Sequence, residues 1–263
     1  MRDISPKTVY YTDPLTDDFA GVQKAYFDIP CDFKFIRGGA LWRALSFCAY
    51  RLIMTPFAYL YCKIKFHLHI VDRTTAPIKA QKGCFLYLNH TLLAGDAFIP
   101  TLTAFPKKVY VIVSPENISS PSTRKFILMN GAIPLPQSPS AFRHFAAAVD
   151  RRVDEGHCVA VYPEAHIWPY CTEIRPYPSN SFRFPVRSGA PVYVSTTTFR
   201  KKRLGRTPSV TVWLDGPFYP DADLPQKKAE QKLRDTAYGV MCENAKKSTF
   251  RPIEYKKRDE QQL

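Results

Sequence analysis

No stretch of the sequence is apolar for long enough to make a simple membrane span. The best candidate is the run Leu52–Cys62, which has eleven residues and contains Pro56, whereas a spanning helix needs about 20 apolar residues. The N-terminal residues, MRDISPKTVYYTDPLTDDF, also lack the apolar core of a signal peptide. We therefore expect no simple transmembrane helix.

Closely spaced cysteines are also missing. The seven cysteines stand at positions 31, 48, 62, 84, 158, 171 and 242, and no two lie within four residues of each other. This spacing excludes a CxxC metal or redox pair. Because the count is odd and several cysteines sit in apolar runs, we expect reduced core thiols in a cytosolic protein.

Acidic residues are scarce relative to basic ones. The 263 residues include 37 Lys and Arg against 23 Asp and Glu, a formal net charge of +14. Such a surface favours a polyanionic partner: nucleic acid, anionic lipid headgroups or a phosphorylated substrate. The hydrophobic fraction of 45% excludes disorder over most of the chain. The length suffices for one large domain or two small ones.

One segment, Leu41–Phe66, is apolar almost all round and has four basic residues spaced along it. A helix of this kind needs apolar surroundings on more than one side. It is either a buried core helix or a helical pair in a membrane interface, with its basic side chains reaching the headgroups. The net charge favours the second interpretation. Pro56 should kink this helix or split it in two.

Beyond this segment, short β-rich runs alternate with helical patterns. Strands are predicted over Cys84–Leu88, Val109–Val113, Ala132–Leu135, Cys158–Tyr162, Pro191–Thr197 and Ser209–Leu214, and helices over Pro121–Asn130, Ser140–Glu155 and Pro225–Lys247. The alternation predicts an α/β fold with a largely parallel sheet flanked by helices. We divide the chain into an irregular N-terminal tail (1–36), a membrane-docking helical segment (37–66) and an α/β domain (67–263).

Sites in parallel α/β sheets gather at the carboxyl ends of the strands. After the first predicted strand the sequence reads Asn89-His90, and Asp96 follows six residues after the histidine. Residues six apart lie about 120° from each other around a helix, so these side chains meet only if the segment between them is not regular helix. Gly95 supplies the turn. The carboxylate would then fix the imidazole as a base. The alternative is a strand-end histidine and a helix-capping Asp96.

A second group of polar and aromatic residues follows the strand predicted over Cys158–Tyr162. It contains Glu164 and His166, with Trp168, Tyr170 and Arg175 shortly after them. A carboxylate, an imidazole, two aromatic rings and a guanidinium favour a polar and stacking pocket. The alternative is a Pro-rich loop with incidental polar residues.

Together the two stretches resemble the glycerolipid acyltransferase family, the enzymes that acylate lysophosphatidate and related acceptors. Asn89-His90 with Asp96 is similar to the family's NH-x4-D motif. Its later motifs are matched, in the family's order, by Gly131-Ala132-Ile133-Pro134, Tyr162-Pro163-Glu164-Ala165 and Gly189-Ala190-Pro191-Val192. The matches span residues 84–198, and the apolar N-terminal helices are similar to the family's membrane-docking element.

The sequence departs from the family pattern at three places. His90 and Asp96 have five residues between them rather than four, a variant NH-x5-D motif. Ala165-His166 replaces the usual Gly-Thr without the Arg that follows it, and Gln137 stands where the second motif often has an Arg. Candidates to replace these missing phosphate ligands are Arg175, Arg183 and Arg187.

The resemblance implies a 1-acylglycerol-3-phosphate O-acyltransferase-like enzyme of phospholipid synthesis. It would move a fatty acyl group from coenzyme A or acyl carrier protein to the hydroxyl of a lysophospholipid, first of all 1-acylglycerol-3-phosphate. His90 would be the base and Asp96 its orienting partner, while backbone N–H groups of the turn after the first strand would stabilise the oxyanion. Asn89, Glu164, His166 and the three arginines would bind substrate.

The same resemblance implies no metal and no cofactor beyond the acyl donor. The expected partners are anionic membrane lipids, the lysophospholipid acceptor and the thioester carrier, acyl-CoA or acyl carrier protein. The expected location is the cytoplasmic face of the cell membrane, as a peripheral protein.

Other function classes remain open at this stage. A non-catalytic peripheral membrane lipid-binding protein on the same scaffold is the main alternative. For a metal hydrolase, the only candidate ligands with a recognisable spacing are in His67-Leu68-His69, and this pair lacks a third ligand. A nucleic-acid binder would use Arg200-Lys201-Lys202-Arg203 with Arg206, but this run is equally typical of a solvated hairpin loop and no nucleic-acid motif supports it. We therefore expect no nucleic acid partner.

Overall fold

The computed structural model describes residues 6–21, 27–202 and 207–258. Within these ranges the chain forms nine strands: β1 (Lys7–Tyr11), β2 (His69–Asp72), β3 (Cys84–Leu88), β4 (Val109–Val113), β5 (Ala132–Pro134), β6 (Cys158–Val161), β7 (Val192–Arg200), β8 (Ser209–Phe218) and β9 (Ile253–Lys257). Seven of them make one sheet in the order β2-β8-β7-β3-β6-β4-β5. Only the β7–β8 pair of this sheet is antiparallel. The predicted, largely parallel sheet is confirmed.

Seven α-helices accompany the strands in the described ranges: α1 (Ala40–Phe47), α2 (Thr55–Phe66), α3 (Ile99–Thr103), α4 (Pro121–Met129), α5 (Pro139–Asp154), α6 (Arg183–Ser188) and α7 (Gln226–Ala245). The three helices predicted from the sequence coincide with α4, α5 and α7 to within two residues at each end. Their apolar stripes and flanking Pro and Gly residues were sufficient signals.

Two apolar cores enclose the sheet. On one face Phe85 and Tyr87 of β3 belong to a cluster with Phe145 of α5. On the other face Leu86 of β3 belongs to a cluster with Phe66 of α2. Successive side chains of a strand point to opposite faces, so a central parallel strand must be apolar throughout, and all five residues of β3 are buried.

Residues 40–66 are helical without interruption. A π-helical stretch, Cys48–Met54, joins α1 to α2, so that of the two effects expected of Pro56, a kink or a split, the split does not occur. Pro56 lies directly after the π-helical stretch, whose i→i+5 hydrogen bonds depart from the regular α-helical ladder that a proline interrupts. The hydroxyl of Thr55 also donates to the carbonyl of Tyr50 at 2.7 Å.

This helical segment is buried on one side only. Ala58, Cys62 and Phe66 face the protein core, while the outward side is apolar and exposed. Its large exposed side chains are Leu41, Leu45, Phe47, Leu52, Ile53, Phe57, Tyr59, Leu60 and Ile64; we call them the apolar face. Among the described helices, none combines the length and the hydropathy needed to cross a membrane.

The N-terminal tail is more ordered than predicted. Strand β1 pairs in parallel with β9, with Lys7 opposite Ile253, so the two ends of the described chain form a small sheet of their own. The expectation of an irregular tail was therefore wrong for residues 7–11, while residues 1–5 and 22–26 lie outside the described part. Arg203 and Arg206 of the basic run also lie outside it.

All seven cysteines are free thiols. Four of them, Cys62, Cys84, Cys158 and Cys171, are buried, as expected of core thiols, whereas Cys31 and Cys48 are exposed.

Candidate active site

The register of two neighbouring strands brings the two sequence motifs together. β3 and β6 are parallel, with Tyr87 opposite Val161, and His90 and Glu164 each lie three residues beyond that pair. The backbone N–H of His90 donates to Glu164 Oε2 at 3.2 Å. The motifs therefore meet at the carboxyl edge of the sheet.

His90 and Asp96 form a close pair. His90 Nδ1 lies 2.7 Å from Asp96 Oδ2. Because an ionised carboxylate only accepts hydrogen bonds, Nδ1 carries the proton and the lone pair is on Nε2. The His90 side chain is 24% exposed, and its Nε2 has no hydrogen-bond partner among the described residues. The ring is thus held in the tautomer that a general base needs.

Asp96 is fixed by the turn that carries it. It is 4% exposed, and Oδ2 also accepts the backbone N–H groups of Thr91 at 2.8 Å and Leu92 at 2.9 Å. These two amides are therefore not available to an oxyanion, which corrects the expectation for this turn. A regular helix from His90 to Asp96 would not allow the contact between these two side chains. Residues 91–94 are indeed not helical.

Gly95 is needed for space rather than for an unusual backbone. It opens a single 3-10 turn, Gly95–Ala97, and its φ is not positive. A Cβ at this position would lie 2.9 Å from a methyl carbon of Leu92 and 3.2 Å from the ring of Phe66. The missing side chain lets the turn pack against α2, so that Asp96 reaches His90.

Tyr162 completes this arrangement, although the sequence assigned it no role. Its ring centroid lies 4.5 Å from that of His90, and its hydroxyl donates to the Asp96 carbonyl at 2.6 Å. Burial and the Asp96 carboxylate raise the pKa of Tyr162, so the hydroxyl stays protonated as a donor. The feature of the sequence that could have indicated a role for Tyr162 is its position directly after β6, two residues before Glu164.

Glu164 and Arg175 bind each other inside the protein. Arg175 Nη2 lies 2.8 Å from Glu164 Oε2, and each side chain is only 3% exposed. The Arg175 backbone N–H donates to Glu164 Oε1 at 3.2 Å. The Arg175 guanidinium lies 4.9 Å from the ring centroid of Trp168, and it also donates to the carbonyl of His166. Burial raises the pKa of Glu164, and Arg175 opposes that rise.

These contacts do not favour the roles expected of this pair. The Glu164 carboxylate was expected to hold the acceptor and Arg175 to bind its phosphate. Instead, both oxygens of Glu164 are used by the protein, and one of them anchors the backbone of His90. Through this hydrogen bond, the Glu164–Arg175 pair holds the backbone of His90 in position.

The remaining predicted ligands do not converge on His90. Asn89 uses both its amide atoms on the backbone of Thr197, at 3.1 and 2.8 Å, and so ties β3 to β7. His166 is a surface residue whose Nδ1 lies 3.7 Å from a carboxylate oxygen of Asp18. Their expected roles in substrate binding gain no support from these contacts.

The two other candidate arginines are engaged elsewhere. Arg187 pairs with Asp150 at 2.6 Å, near the end of α5 and hence near the amino edge of the sheet, where β6 begins. Arg183 packs over the rings of Phe142 and Phe184, at 4.4 and 5.3 Å. The structure brings neither of them to the His90–Asp96 pair, so their prediction as phosphate ligands is not supported.

An aromatic cage encloses the loop after Glu164. Trp168 has the rings of Tyr11, Phe19 and Tyr255 around it, with centroid distances of 4.7, 5.2 and 4.7 Å. Its indole N–H donates to the carbonyl of Asp17 at 2.7 Å, and its backbone N–H donates to the carbonyl of His90 at 3.2 Å. Both ends of the chain thus hold the loop that carries Glu164.

Comparison with known proteins identifies the fold. It is similar to the crystal structure of the 1-acyl-sn-glycerophosphate (LPA) acyltransferase PlsC from Thermotoga maritima, with a TM-score of 0.55 over 82% of this chain and 92% of that chain. The sequence identity is 14%, so the likeness concerns the fold alone. The chain shares the fold of that enzyme. No protein-family model matches the sequence, and no curated protein matches it significantly.

Metal chemistry has no obvious site in the described residues. No group of three or more His, Cys, Asp or Glu side chains lies close enough to hold an ion in this part of the chain. His67 ends α2 in a left-handed conformation, and His69 begins β2.

Proposed function

We propose that this protein transfers a fatty acyl group from a thioester to the hydroxyl of a lysophospholipid, first of all 1-acylglycerol-3-phosphate. The observation that carries the proposal is the His90–Asp96 pair at the carboxyl edge of a sheet with an acyltransferase fold. The fold supports a glycerolipid acyltransferase in general. The variant NH-x5-D motif and the choice of acceptor are the finer part of the proposal.

The chemistry follows from the tautomer of His90. Its Nε2 takes the proton of the acceptor hydroxyl as the hydroxyl oxygen attacks the thioester carbonyl carbon. The Nδ1–H···Oδ2 bond to Asp96 orients the ring and stabilises the imidazolium. The tetrahedral intermediate then breaks its C–S bond, and the thiolate leaves with the proton from Nε2. The products are a new oxygen ester and the free thiol of the carrier, with no acyl-enzyme.

The donor in this proposal is acyl-CoA or acyl-acyl carrier protein, and no other cofactor takes part. Both carriers are acidic, which suits a chain with a net charge of +14. Arg175 is not the proposed phosphate ligand, since it is buried against Glu164.

The proposed location is the cytoplasmic face of the cell membrane, where the protein would be peripheral. Two observations support it. The apolar face lies open to solvent along residues 41–64, and a one-sided apolar helix with basic residues is typical of interfacial binding. Leu93, three residues after His90, is also 57% exposed, so an exposed apolar side chain lies close in sequence to the candidate base.

The test is an acyl-transfer assay of the purified chain in detergent micelles. Acyl-CoA and acyl-acyl carrier protein serve as donors, and release of free thiol and formation of diacyl product are both measured. We expect His90→Ala to lower kcat at least 100-fold, since general-base contributions are about 10²–10⁴-fold. Asp96→Asn should lose much of the activity, because an amide cannot accept from three donors and select the same tautomer.

His144→Ala is the matched control, since His144 is exposed on α5 and should keep full activity. A His90→Ala variant with a tenth of the wild-type kcat would contradict the mechanism. A wild-type chain that binds vesicles but transfers no acyl group to any lysophospholipid would instead favour the non-catalytic lipid-binding protein.

A further inference from the structure

A polar cavity lies beneath α1, outside the candidate active site. Three cations line it, namely Arg37, Lys108 and Arg152, together with Trp42 and Tyr110. Arg152 and Lys108 both face the ring of Tyr110, at 4.4 and 5.2 Å from its centroid. Arg37 lies 5.3 Å from the ring of Trp42. The aromatic rings thus hold the cations around one space.

The positive charge in this cavity is only partly balanced. Among the described residues, the carboxylate paired with the cluster is Glu155, which bonds Arg152 at 2.6 Å and is shared with Arg151 at 2.9 Å. Lys108 donates to neutral oxygens, those of Ser46 at 2.6 Å and Met129 at 3.0 Å. Arg37 Nε is buried without a hydrogen-bond partner. An anion would supply the missing acceptors.

Burial and the positive charge of these cations lower the pKa of titratable groups nearby. Burial together with the charges of Arg152 and Arg51 lowers the pKa of Lys108 to about 8. Burial, Arg152 and Lys108 also lower the pKa of His157, against the effect of Glu155. Because cations here disfavour one another, binding of an anion would relieve the repulsion.

The cavity is at the opposite edge of the sheet from His90. Lys108 directly precedes β4, whereas His90 follows the carboxyl end of β3, and both strands run parallel to β6 between them. A strand of five residues is about 16 Å long. A group bound at Lys108 therefore does not contact the reacting atoms.

Size and surroundings indicate the kind of ligand. The cavity is about 20 Å³, room for one or two oxygen-sized groups, so one or two oxygens of an anion would enter it while the rest of the anion stays at its mouth beside the partly exposed Arg37. Guanidinium groups match the geometry of phosphate oxygens. The neighbouring α1 carries Leu41 and Leu45 of the apolar face, so exposed apolar side chains stand on the helix that lines the cavity and could contact the apolar part of a lipid.

We propose that Arg37, Lys108 and Arg152 bind a single phosphate group, separately from the acyl-transfer site. The group is either free inorganic phosphate or the headgroup phosphate of an anionic lipid. The proposal rests on the cavity and its cations and does not require the proposed acyl transfer.

The first arm of the test uses inorganic phosphate. Calorimetric titration at constant ionic strength should show saturable binding to the wild type, at least tenfold weaker in Arg37→Gln and in Lys108→Met. Arg37 is partly exposed, so Arg37→Gln provides a variant expected to fold, as circular dichroism would verify. Lys125→Met removes an equal charge from the exposed surface of α4 and should bind as the wild type does. No saturable binding, or equal loss in Lys125→Met, would overturn the proposal.

The second arm identifies the source of the phosphate. Phosphatidylcholine vesicles containing phosphatidate are added to protein saturated with inorganic phosphate. Displacement of phosphate identifies a lipid headgroup as the ligand, and its retention identifies free phosphate; either result supports the site. Acyl-transfer kinetics in detergent should be unchanged in Arg37→Gln, and a raised KM for the acceptor would overturn the separation from the acyl-transfer site.

Discussion

A single carboxylate oxygen organises the candidate active site. Asp96 Oδ2 accepts His90 Nδ1 and two backbone amides, so the position of the imidazole is coupled to the fold of the turn. Glu164 Oε2 accepts the backbone N–H of His90 and so also fixes the position of this residue. At the scale of the residue, the two carboxylates are positioning groups, and only the imidazole is placed for reaction.

The Glu164–Arg175 pair predicts a stability effect. Arg175→Ala should lower the free energy of unfolding by about 3–5 kcal/mol, because it leaves a buried carboxylate without its partner. Urea denaturation measures the loss. Arg251→Ala is the control, since Arg251 pairs with Glu173 at 3.1 Å on the surface, where the side chains are 50% and 74% exposed, and such pairs contribute about 0–1 kcal/mol. Equal losses in both variants would contradict the assignment.

Lys108 predicts a pH effect. Its pKa of about 8 in the folded protein lies below the ordinary 10.5, so between these values the unfolded chain holds one more proton at this position. The contribution of Lys108 to stability should therefore increase as pH rises from about 8 to 10.5, and it is unfavourable below pH 8. NMR of protein labelled at the lysine ε-carbons, with Lys108→Met to assign the signal, measures the midpoint. A midpoint near 10.5 would contradict this prediction.

At the scale of elements, the ends of the chain stabilise the middle. Strands β1 and β9 pair with each other and bring Tyr11 and Tyr255 against Trp168. The loop held in this way carries Ala165 and Tyr170 with positive φ, at 63° and 59°. Positive φ is unfavourable for residues other than glycine, so the loop needs the contacts that cover it.

The aromatic cage gives a prediction that fluorescence can check. Replacing Tyr11 and Phe19 by Ala should expose Trp168, increase acrylamide quenching of tryptophan fluorescence and lower Tm, since aromatic pairs contribute about 0.5–1.5 kcal/mol each beyond their buried area. Tyr10→Ala is the control, because Tyr10 is on the same strand but 49% exposed. Unchanged quenching in the double variant would show that the tail does not cover the loop in solution.

At the scale of the whole molecule, charge and apolar surface point to the same partner. The net charge is +14, and the apolar face runs along the 27 residues of helix between 40 and 66. At 1.5 Å per residue that helix is about 40 Å long. We propose that this surface lies on an anionic membrane.

Vesicle flotation tests this arrangement. Anionic vesicles should bind the wild type more strongly than neutral ones, and salt should weaken binding, with about 1 kcal/mol for each basic side chain near the surface. Replacing Leu52, Leu60 and Ile64 by Ser should abolish binding. Leu15→Ser with Tyr219→Ser is the control, since both residues are exposed apolar side chains outside the helix. Equal binding to neutral and anionic vesicles at low salt would contradict the electrostatic part.

The sequence by itself predicted the sheet and the main helices, and through the resemblance of its motifs it also indicated the pairing of His90 with Asp96. These depend on local patterns: β3 is apolar at every position, α5 has an apolar stripe, and the spacing of six residues requires an irregular turn. The two alternatives for Leu41–Phe66 were also visible, although the π-helical stretch that accommodates Pro56 was not.

Only the tertiary structure decided what the cations do. Arg175 looked like a phosphate ligand because a loop sequence does not reveal burial, and the fold places it against Glu164. The cluster of Arg37, Lys108 and Arg152 combines residues from three distant parts of the chain, and the cage around Trp168 joins residue 11 to residue 255. Contacts at such separations leave no periodic signal in the sequence, because they depend on how the elements pack and not on the pattern within any one of them.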